Sequence, residues 1–209
     1  MLSENTLPAD SIVNLSNLWE KYSVCSGKKY ETAILSKYPV LFCSEIELPT
    51  HQASLSGSND IDSLLINPKR SFVHIRINFN DREIDVISIR LIAGRPKSNN
   101  LKDQIEWGRY LIKKQTEEIK FFVNYLNTLE GPIVFGGDLT APPNAKVMKP
   151  LYKIAEDAAQ SQSLVPGPTF RTEFPVIRLD YIFTMNGFKT VNYSRLKSMS
   201  RIIFPFTLS

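Results

Sequence analysis

Two aspartates stand at the ends of short apolar segments, where a carboxylate can take part in chemistry. Asp138 follows the apolar residues 132–135 and two glycines, and Asp180 lies just before the apolar residues 181–183. An ionised acid that ends a buried strand needs solvent, a metal ion or a substrate, because burying it unpaired is costly. The two glycines also let another group approach the backbone closely. The pattern predicts a site built from strand ends, with both carboxylates at one rim of the fold.

Each candidate residue also has an ordinary structural interpretation. A capping or turn aspartate is the alternative for Asp138, and an edge-strand acid is the alternative for Asp180. Arg90 either contacts a substrate phosphate or forms a surface ion pair. Arg178 lies two residues from Asp180, so on a strand the two side chains share one face, and we expect Arg178 to bind phosphate there.

The bulk composition is that of an ordinary globular domain. The 209 residues include 43% hydrophobic and 22% charged side chains, which is typical of a single folded domain. The formal net charge of +4 permits a phosphate-bearing partner, but the sequence lacks the polybasic block of dedicated nucleic-acid binders. No apolar run approaches the roughly 20 residues that span a bilayer. The composition does not indicate an oligomeric state.

The N-terminus and the cysteines indicate the compartment. Residues 1–8 contain neither the basic region nor the apolar block of a signal peptide. Cys25 and Cys43 are too few for a disulfide framework. We interpret them as reduced thiols rather than as one bridge, because the cytosol is reducing. These observations predict a cytoplasmic protein.

Apolar periodicity predicts the elements that position the aspartates. Two β-branched strands over 72–79 and 84–91, with a polar turn at 80–83, predict a β-hairpin. A long helix is expected to begin after Asn100, its N-cap, and to run to about residue 129. Its predicted apolar stripe contains Trp107, Leu111, Ile119, Phe122 and Leu126.

Further elements complete a layered order. They are a helix over 11–20, a strand over 32–36, an exposed loop over 50–63, a helix over 144–159, and a hairpin of strands 178–183 and 188–193 around Asn186-Gly187. Strands outnumber helices and mix hairpins with helix crossovers, which indicates an α/β or α+β sandwich. His74 is expected to be a half-exposed strand residue rather than a ligand.

Three segments in this order resemble the endonuclease/exonuclease/phosphatase superfamily, the fold of DNase I, apurinic endonucleases and neutral sphingomyelinases. They are residues 33–40 with Leu-Ser-Lys-Tyr-Pro, residues 136–143 with Gly-Gly-Asp, and residues 178–183 with Asp-Tyr-Ile. The similarity extends from about residue 30 to about residue 185. It implies a single domain over residues 1–209, an α/β (α+β) four-layer sandwich in which two packed mixed β-sheets are flanked by helices.

The resemblance also implies a reaction. Members of the superfamily cleave phosphate esters with a divalent metal, so the implied cofactor is magnesium (or manganese) and the implied partner is a phosphate-ester substrate, with nucleic acid included. Asp138 matches the aspartate of the family's Gly-Asp-x-Asn block, and Thr140 stands where its asparagine is expected. Asp180 matches the Asp-Tyr-Ile block and is a candidate metal ligand. Arg90-Leu91 occupies a place where many relatives carry His-Leu.

The family pattern is incomplete at both ends of the chain. The first strand with its catalytic asparagine has no counterpart, Asn17 stands where a metal-binding glutamate is expected, and residues 198–200 keep neither residue of a terminal Asp-His pair. We therefore expect a metal-dependent phosphoesterase of impaired activity. An inactive binding or scaffold domain of the same fold and a truncated fragment of an active enzyme are the alternatives.

Overall fold

The structure is a computed structural model that describes residues 2–3, 23–26, 32–49, 70–93, 99–162, 177–188 and 190–191. Its strands are β1 (Leu2–Ser3), β2 (Ser23–Ser26), β3 (Thr32–Ser36), β4 (Val40–Glu47), β5 (Ser71–Phe79), β6 (Arg82–Ser88), β7 (Ile133–Asp138), β8 (Glu156–Asp157) and β9 (Asp180–Met185). Its helices are α1 (Leu101–Leu126), α2 (Lys149–Ile154) and α3 (Ala158–Gln162), with a 3-10 turn at Lys146–Met148. The helix predicted over 11–20, the loop over 50–63 and half of the strand over 188–193 lie outside the described residues, and residues 188, 190 and 191 are not in a strand.

The described strands form two sheets. Three strands pair in the order β1-β3-β2, and six pair in the order β4-β5-β6-β7-β9-β8. In the larger sheet β6 and β7 run parallel, while their outer neighbours pair antiparallel. Helix α1 makes the crossover from β6 to β7, which a parallel pair requires. The larger sheet is therefore mixed, as the resemblance implied.

The larger sheet buries both of its faces. On one face it packs against the small sheet, in a core of Cys25, Ile34, Val73, Ile75, Ile77 and Ile84. On the other face it packs against α1, in a core that includes Phe72, Ile87, Ile89, Leu91, Phe122 and Phe135. Ile87, Ile89 and Leu91 all enter the helix-side core, because every second side chain of an extended segment lies on the same face. Small sheet, large sheet and helix thus form successive layers.

The hairpin between β5 and β6 has a tighter turn than predicted. Asn80 and Asp81 have φ angles of 50° and 62°, and Arg82 already pairs with Phe79. Positive φ at both central residues is the geometry of a type I′ turn, which suits the right-handed twist of the strands. Asparagine and aspartate tolerate this conformation. The turn therefore contains two residues rather than four.

Helix α1 begins where its cap predicts. The side chain of Asn100 accepts a hydrogen bond of 2.9 Å from the backbone N–H of Lys102, and Asp103 lies in the first turn, where its charge suits the helix dipole. Of the predicted stripe, the C-terminal members Ile119, Phe122 and Leu126 are buried, while Trp107 and Leu111 are half-buried. Within the described ranges, no helix is both long enough and apolar enough to cross a membrane.

The single helix predicted over 144–159 is wrong. Ala155 leaves the helical conformation, with φ −139° and ψ 150°, and Asp157 then pairs with Phe183 at the edge of the larger sheet. The backbone groups of Asp157 find partners on β9 instead of within a helix, so tertiary pairing overrides the helical period.

Cys25 and Cys43 form a disulfide, so the interpretation as reduced thiols is wrong. Their Cα atoms are 6.1 Å apart. Cys25 belongs to β2 of the small sheet and Cys43 to β4 at the edge of the larger sheet, so the bond joins two layers. Disulfides are typical of oxidising compartments. The cytoplasmic location stays a prediction that free thiols no longer support.

We expect Cys43→Ser to lower the free energy of unfolding by about 3 kcal/mol, because the bond closes a loop in the unfolded chain across a separation of 18 residues. Chemical denaturation of both chains, with and without reductant, measures the difference. Reductant should weaken the wild-type chain and leave the variant unchanged. A variant as stable as the oxidised wild-type chain would contradict a structural role for the bond.

A buried polar cluster under α1 corrects the interpretation of His74 as half-exposed. His74 is only 2% exposed; its Nε2 lies 2.9 Å from Asp85 Oδ1 and its Nδ1 lies 2.6 Å from the hydroxyl of Tyr125. Arg76 donates two hydrogen bonds to the same carboxylate. Burial alone raises the pKa of Asp85, but the hydrogen bonds from His74 and Arg76 outweigh it, so this pKa is lowered. His74 is a satisfied core residue.

Candidate active site

Asp138 and Asp180 lie directly opposite each other in the structure. Asp138 ends β7, Asp180 begins β9, and the two residues are partners in the antiparallel register. Opposed residues of antiparallel strands have Cα atoms roughly 4.5–5.5 Å apart and place their side chains on one face of the sheet. The predicted convergence of the two aspartates at one rim is confirmed.

Two glycines allow the backbones around this rim to approach closely. A Cβ atom on Gly136 would lie 2.1 Å from the carbonyl oxygen of Tyr181, and one on Gly137 would lie 2.1 Å from that of Ile89. Gly137 also has a φ of 138°, which residues with a side chain rarely adopt. What approaches the glycines is therefore the neighbouring backbone, from both sides of β7.

Arg90 lies beside the aspartate pair. Its Nε is 3.7 Å from Oδ2 of Asp138, and the two side chains are 23% and 14% exposed. The backbone N–H of Leu91 donates to the carbonyl oxygen of Asp138 at 3.0 Å, so the segment that carries Arg90 continues along β7 after β6 has ended. A permanently charged guanidinium at this distance partly balances the two carboxylates and suits a phosphate oxygen.

The backbone and the side chain of Thr140 both form hydrogen bonds within the protein. Its φ is 50°, and its N–H donates a hydrogen bond of 2.9 Å to Oδ1 of Asp138, which orients that carboxylate. Its hydroxyl donates to the carbonyl oxygen of Ile92 at 3.0 Å and accepts from Nε2 of Gln115 at 2.8 Å. The hydroxyl of Thr140 thus connects its own segment and that of Ile92 to helix α1. The catalytic role predicted for Thr140, like those of Asp138 and Asp180, stays a prediction.

Arg178 lies beneath the rim, which corrects the solvent-facing position expected for it. Its side chain is 2% exposed and donates two hydrogen bonds, of 2.9 and 2.6 Å, to the carboxylate of Asp157. Its guanidinium carbon lies 4.3 Å from the ring centre of Tyr181, and its Nε donates to the carbonyl oxygen of Asp180 at 3.2 Å. Arg178 precedes β9 rather than lying on it, so the strand alternation that predicted a shared face with Asp180 does not apply.

Tyr181 connects the segments of Ala141 and Arg178 from inside the core. Its hydroxyl lies 2.7 Å from the carbonyl oxygen of Ala141 and 3.1 Å from that of Arg178. Burial raises the pKa of Tyr181 far above its ordinary range. Burial, followed by the charge of Asp157, raises the pKa of Tyr152 to about 12. Both phenols therefore stay protonated, and Tyr181 is a permanent hydrogen-bond donor below the rim.

Sequence reasoning missed the buried polar side chains that support the rim from α1. Gln115 is 4% exposed and Glu118 is 1% exposed, and both contact the segment that contains Ile92. Polar side chains on a long helix are usually exposed, so composition alone does not indicate that either residue is buried. Their one available signal was position, since Glu118 adjoins Ile119 and lies four residues before Phe122 on the buried stripe.

Comparison with solved structures shows that this architecture is a known one. The chain is similar to D. rerio TDP2 in complex with a single-strand DNA product, with a TM-score of 0.62 and 14% identity over 94% of this chain and 78% of that one. It is similar to truncated Caenorhabditis elegans TDP2, with a TM-score of 0.61 and 13% identity over 94% and 76%. It is also similar to the beta toxin of Staphylococcus aureus, with a TM-score of 0.56 and 17% identity over 97% and 80%. No family model and no curated protein sequence matches it.

The chain has the DNase I-like fold. The fold family and the layered sandwich predicted from the sequence are confirmed. At such low identity the likeness establishes the fold, and the chemistry of this DNase I-like domain has to be argued from its own residues.

The rim donors of this DNase I-like domain suit a hard divalent cation in type, although they are few. Asp138 and Asp180 supply carboxylate oxygens, which magnesium prefers. Among the residues that the structure describes, no three His, Cys, Asp or Glu side chains cluster as a metal-binding group. Magnesium is commonly held by one or two carboxylates together with water and phosphate oxygens. The aspartate pair therefore suits a cation whose remaining ligands are water and phosphate oxygens.

Proposed function

We propose that the Asp138 and Asp180 rim binds a phosphodiester and hydrolyses it with a divalent cation, magnesium or manganese, at a reduced rate. The observation that carries this proposal is the direct cross-strand opposition of the two aspartates, with Arg90 Nε 3.7 Å from Asp138. Two acids and one guanidinium at a partly exposed strand end match what phosphoester cleavage requires: cation ligands, a group that orients water, and a phosphate contact.

Each residue has a role in this proposal. Asp138 and Asp180 would hold the cation, which supplies neutralisation of the phosphate charge. The carboxylate of Asp138, oriented by the N–H of Thr140, is also the group that accepts a hydrogen bond from the attacking water. Arg90 donates hydrogen bonds to a non-bridging phosphate oxygen. The leaving oxygen takes its proton from solvent, because an arginine does not release one at neutral pH.

Nucleic acid is the substrate class that we would test first. The D. rerio TDP2 structure contains a single-strand DNA product, and the formal net charge of this chain, +4, permits a polyanion. We expect a reduced rate because the described residues give the metal site only two carboxylates and place no histidine at the rim to protonate the leaving oxygen.

The test is a turnover assay on a single-stranded oligonucleotide and on a generic phosphodiester, with magnesium, manganese or chelator. We expect Asp138→Ala to lower metal-dependent turnover by about a hundredfold to a thousandfold, the usual cost of removing one positioned group. Asp103→Ala is a matched control, since it removes an exposed acid from the first turn of α1. Equal background turnover by the wild-type chain and Asp138→Ala would overturn the proposal.

Binding without turnover is the second candidate, and the closeness of Arg90 to Asp138 favours it. A cation already beside the carboxylate competes with a metal ion for the same charge. This candidate predicts that oligonucleotide binding survives with chelator and that magnesium at millimolar concentration leaves the melting temperature unchanged, because only a ligand of the native state raises stability. A rise in melting temperature that Asp138→Ala abolishes favours the enzyme.

A further inference from the structure

The segment that carries Arg90 is held by side chains rather than by strand pairing alone. Strand β6 ends at Ser88, and the chain continues beside β7 through the N–H groups of Ile89 and Leu91. On its other side this segment is contacted by polar side chains that are almost fully buried, Glu118 at 1% and Gln115 at 4% exposure. A buried acid is costly unless it is paired and hydrogen-bonded, so its partners show what it does.

Glu118 contacts the segment once directly and once through Arg70. Its Oε2 accepts a hydrogen bond of 2.8 Å from the backbone N–H of Ile92, and its Oε1 accepts one of 3.1 Å from Nε of Arg70. The Nη2 of Arg70 in turn donates to the carbonyl oxygen of Arg90. Glu118 and Arg70 therefore hold both ends of residues 90–92, one through an N–H and the other through a carbonyl. Hydrogen bonds to ionised groups are stronger than neutral ones, which makes this support stiff.

Gln115 connects the segment of residues 90–92 to the segment that contains Asp138 and Thr140. Its Nε2 donates to the carbonyl oxygen of Ile92 at 3.1 Å and to the hydroxyl of Thr140 at 2.8 Å. Thr140 orients the carboxylate of Asp138 through its own N–H. One face of α1 thus sets the distance between the segment of Arg90 and the segment of Asp138.

We infer that Glu118 is a positioning residue for the site, which acts with Arg70 to hold Arg90 beside Asp138 and so in reach of a bound phosphate. The inference rests on the proposed function for its consequence in catalysis, but the geometry that it invokes can be measured without turnover. If Glu118 acts through Arg90, then removing the charge of Glu118 changes the environment of the Arg90 guanidinium. It weakens phosphate binding only while Arg90 is present.

The experiment uses Glu118→Gln, which keeps the shape of the side chain and removes its charge. Glu117→Gln is the control, since it neutralises the adjacent acid, which pairs with Lys114 at 3.5 Å. We expect Glu118→Gln to raise the KM or the Kd for a single-stranded oligonucleotide about tenfold, the equivalent of one lost charged hydrogen bond, with kcat within about threefold of wild type. In an Arg90→Ala background the same change should have no further effect, because the two residues act as one unit.

The second readout is the NMR signal of the Arg90 Nε–H group, assigned by its loss in Arg90→Lys. Glu118→Gln should shift this signal, and Glu117→Gln should not. An unshifted signal, or an equal loss of binding with and without Arg90, would overturn the inference. Should Glu118→Gln fail to fold, Arg70→Lys replaces it, because it keeps the cation opposite Glu118 and loses the bond to the Arg90 carbonyl. A wild-type chain with no binding and no turnover refutes the proposed function, while the NMR result still decides the positioning.

Discussion

Asp157→Ala is expected to lower the free energy of unfolding by roughly 3–5 kcal/mol, because it leaves the guanidinium of Arg178 buried without its charge partner. The two side chains are 2% and 1% exposed and are joined by two hydrogen bonds. Urea denaturation at neutral pH, followed by circular dichroism, measures the change.

Two further chains separate charge from packing at this position. Glu156→Ala alters the exposed neighbour on the same strand and should stay within about 0.5 kcal/mol of wild type. A double Asp157→Leu and Arg178→Met chain removes both charges and should be more stable than Asp157→Ala, since an apolar pair of similar volume often replaces a buried ion pair without loss. A cost below about 1 kcal/mol for Asp157→Ala would contradict a buried pair. Because Arg178 also donates to the carbonyl oxygen of Asp180, we expect Asp157→Ala to change the position of Asp180 as well as to lower stability.

Gly137→Ala is expected to destabilise the chain by roughly 4 kcal/mol or more, through backbone strain and a steric clash acting together. The new methyl group would lie 2.1 Å from the carbonyl oxygen of Ile89, and the residue would have to keep a φ of 138°. Rotation of a side chain relieves neither the strain nor the clash, because the carbonyl group of Ile89 belongs to the backbone. The yield of folded protein and its melting temperature measure the effect.

The matched control is Gly108→Ala in α1, where an added methyl group meets nothing within 4 Å. It should stabilise the chain by about 0.5–1 kcal/mol, since alanine favours a helix more than glycine does. Opposite signs for the same substitution at the two glycines are therefore expected. A Gly137→Ala chain with the stability of wild type would show that β7 and the Ile89 segment are farther apart than the structure has them.

Local patterns were sufficient for the elements that carry the rim. The β-branched alternation of residues 84–91, the cap at Asn100 and the glycines before Asp138 are local signals. The cap and the glycines appear in the structure as predicted, whereas the strand covers Arg82–Ser88 instead of 84–91. The failures occurred where a remote partner competes with a local preference. Residues 144–159 have a helical period, but β9 offers Asp157 a strand partner, and the helix is interrupted there.

The sequence by itself determined the fold class, because strand ends, turns and apolar periods depend on neighbours along the chain. It also predicted the meeting of Asp138 with Asp180, because the two segments that carry them resemble one known superfamily. Only the tertiary structure decided which polar side chains are buried and which groups they contact. Arg178 turns to Asp157 instead of solvent, Glu118 turns inward to the backbone at Ile92, and Cys25 meets Cys43. Each of these pairs joins residues that are far apart in the chain, and the energy of a buried charge or bond depends on that distant partner.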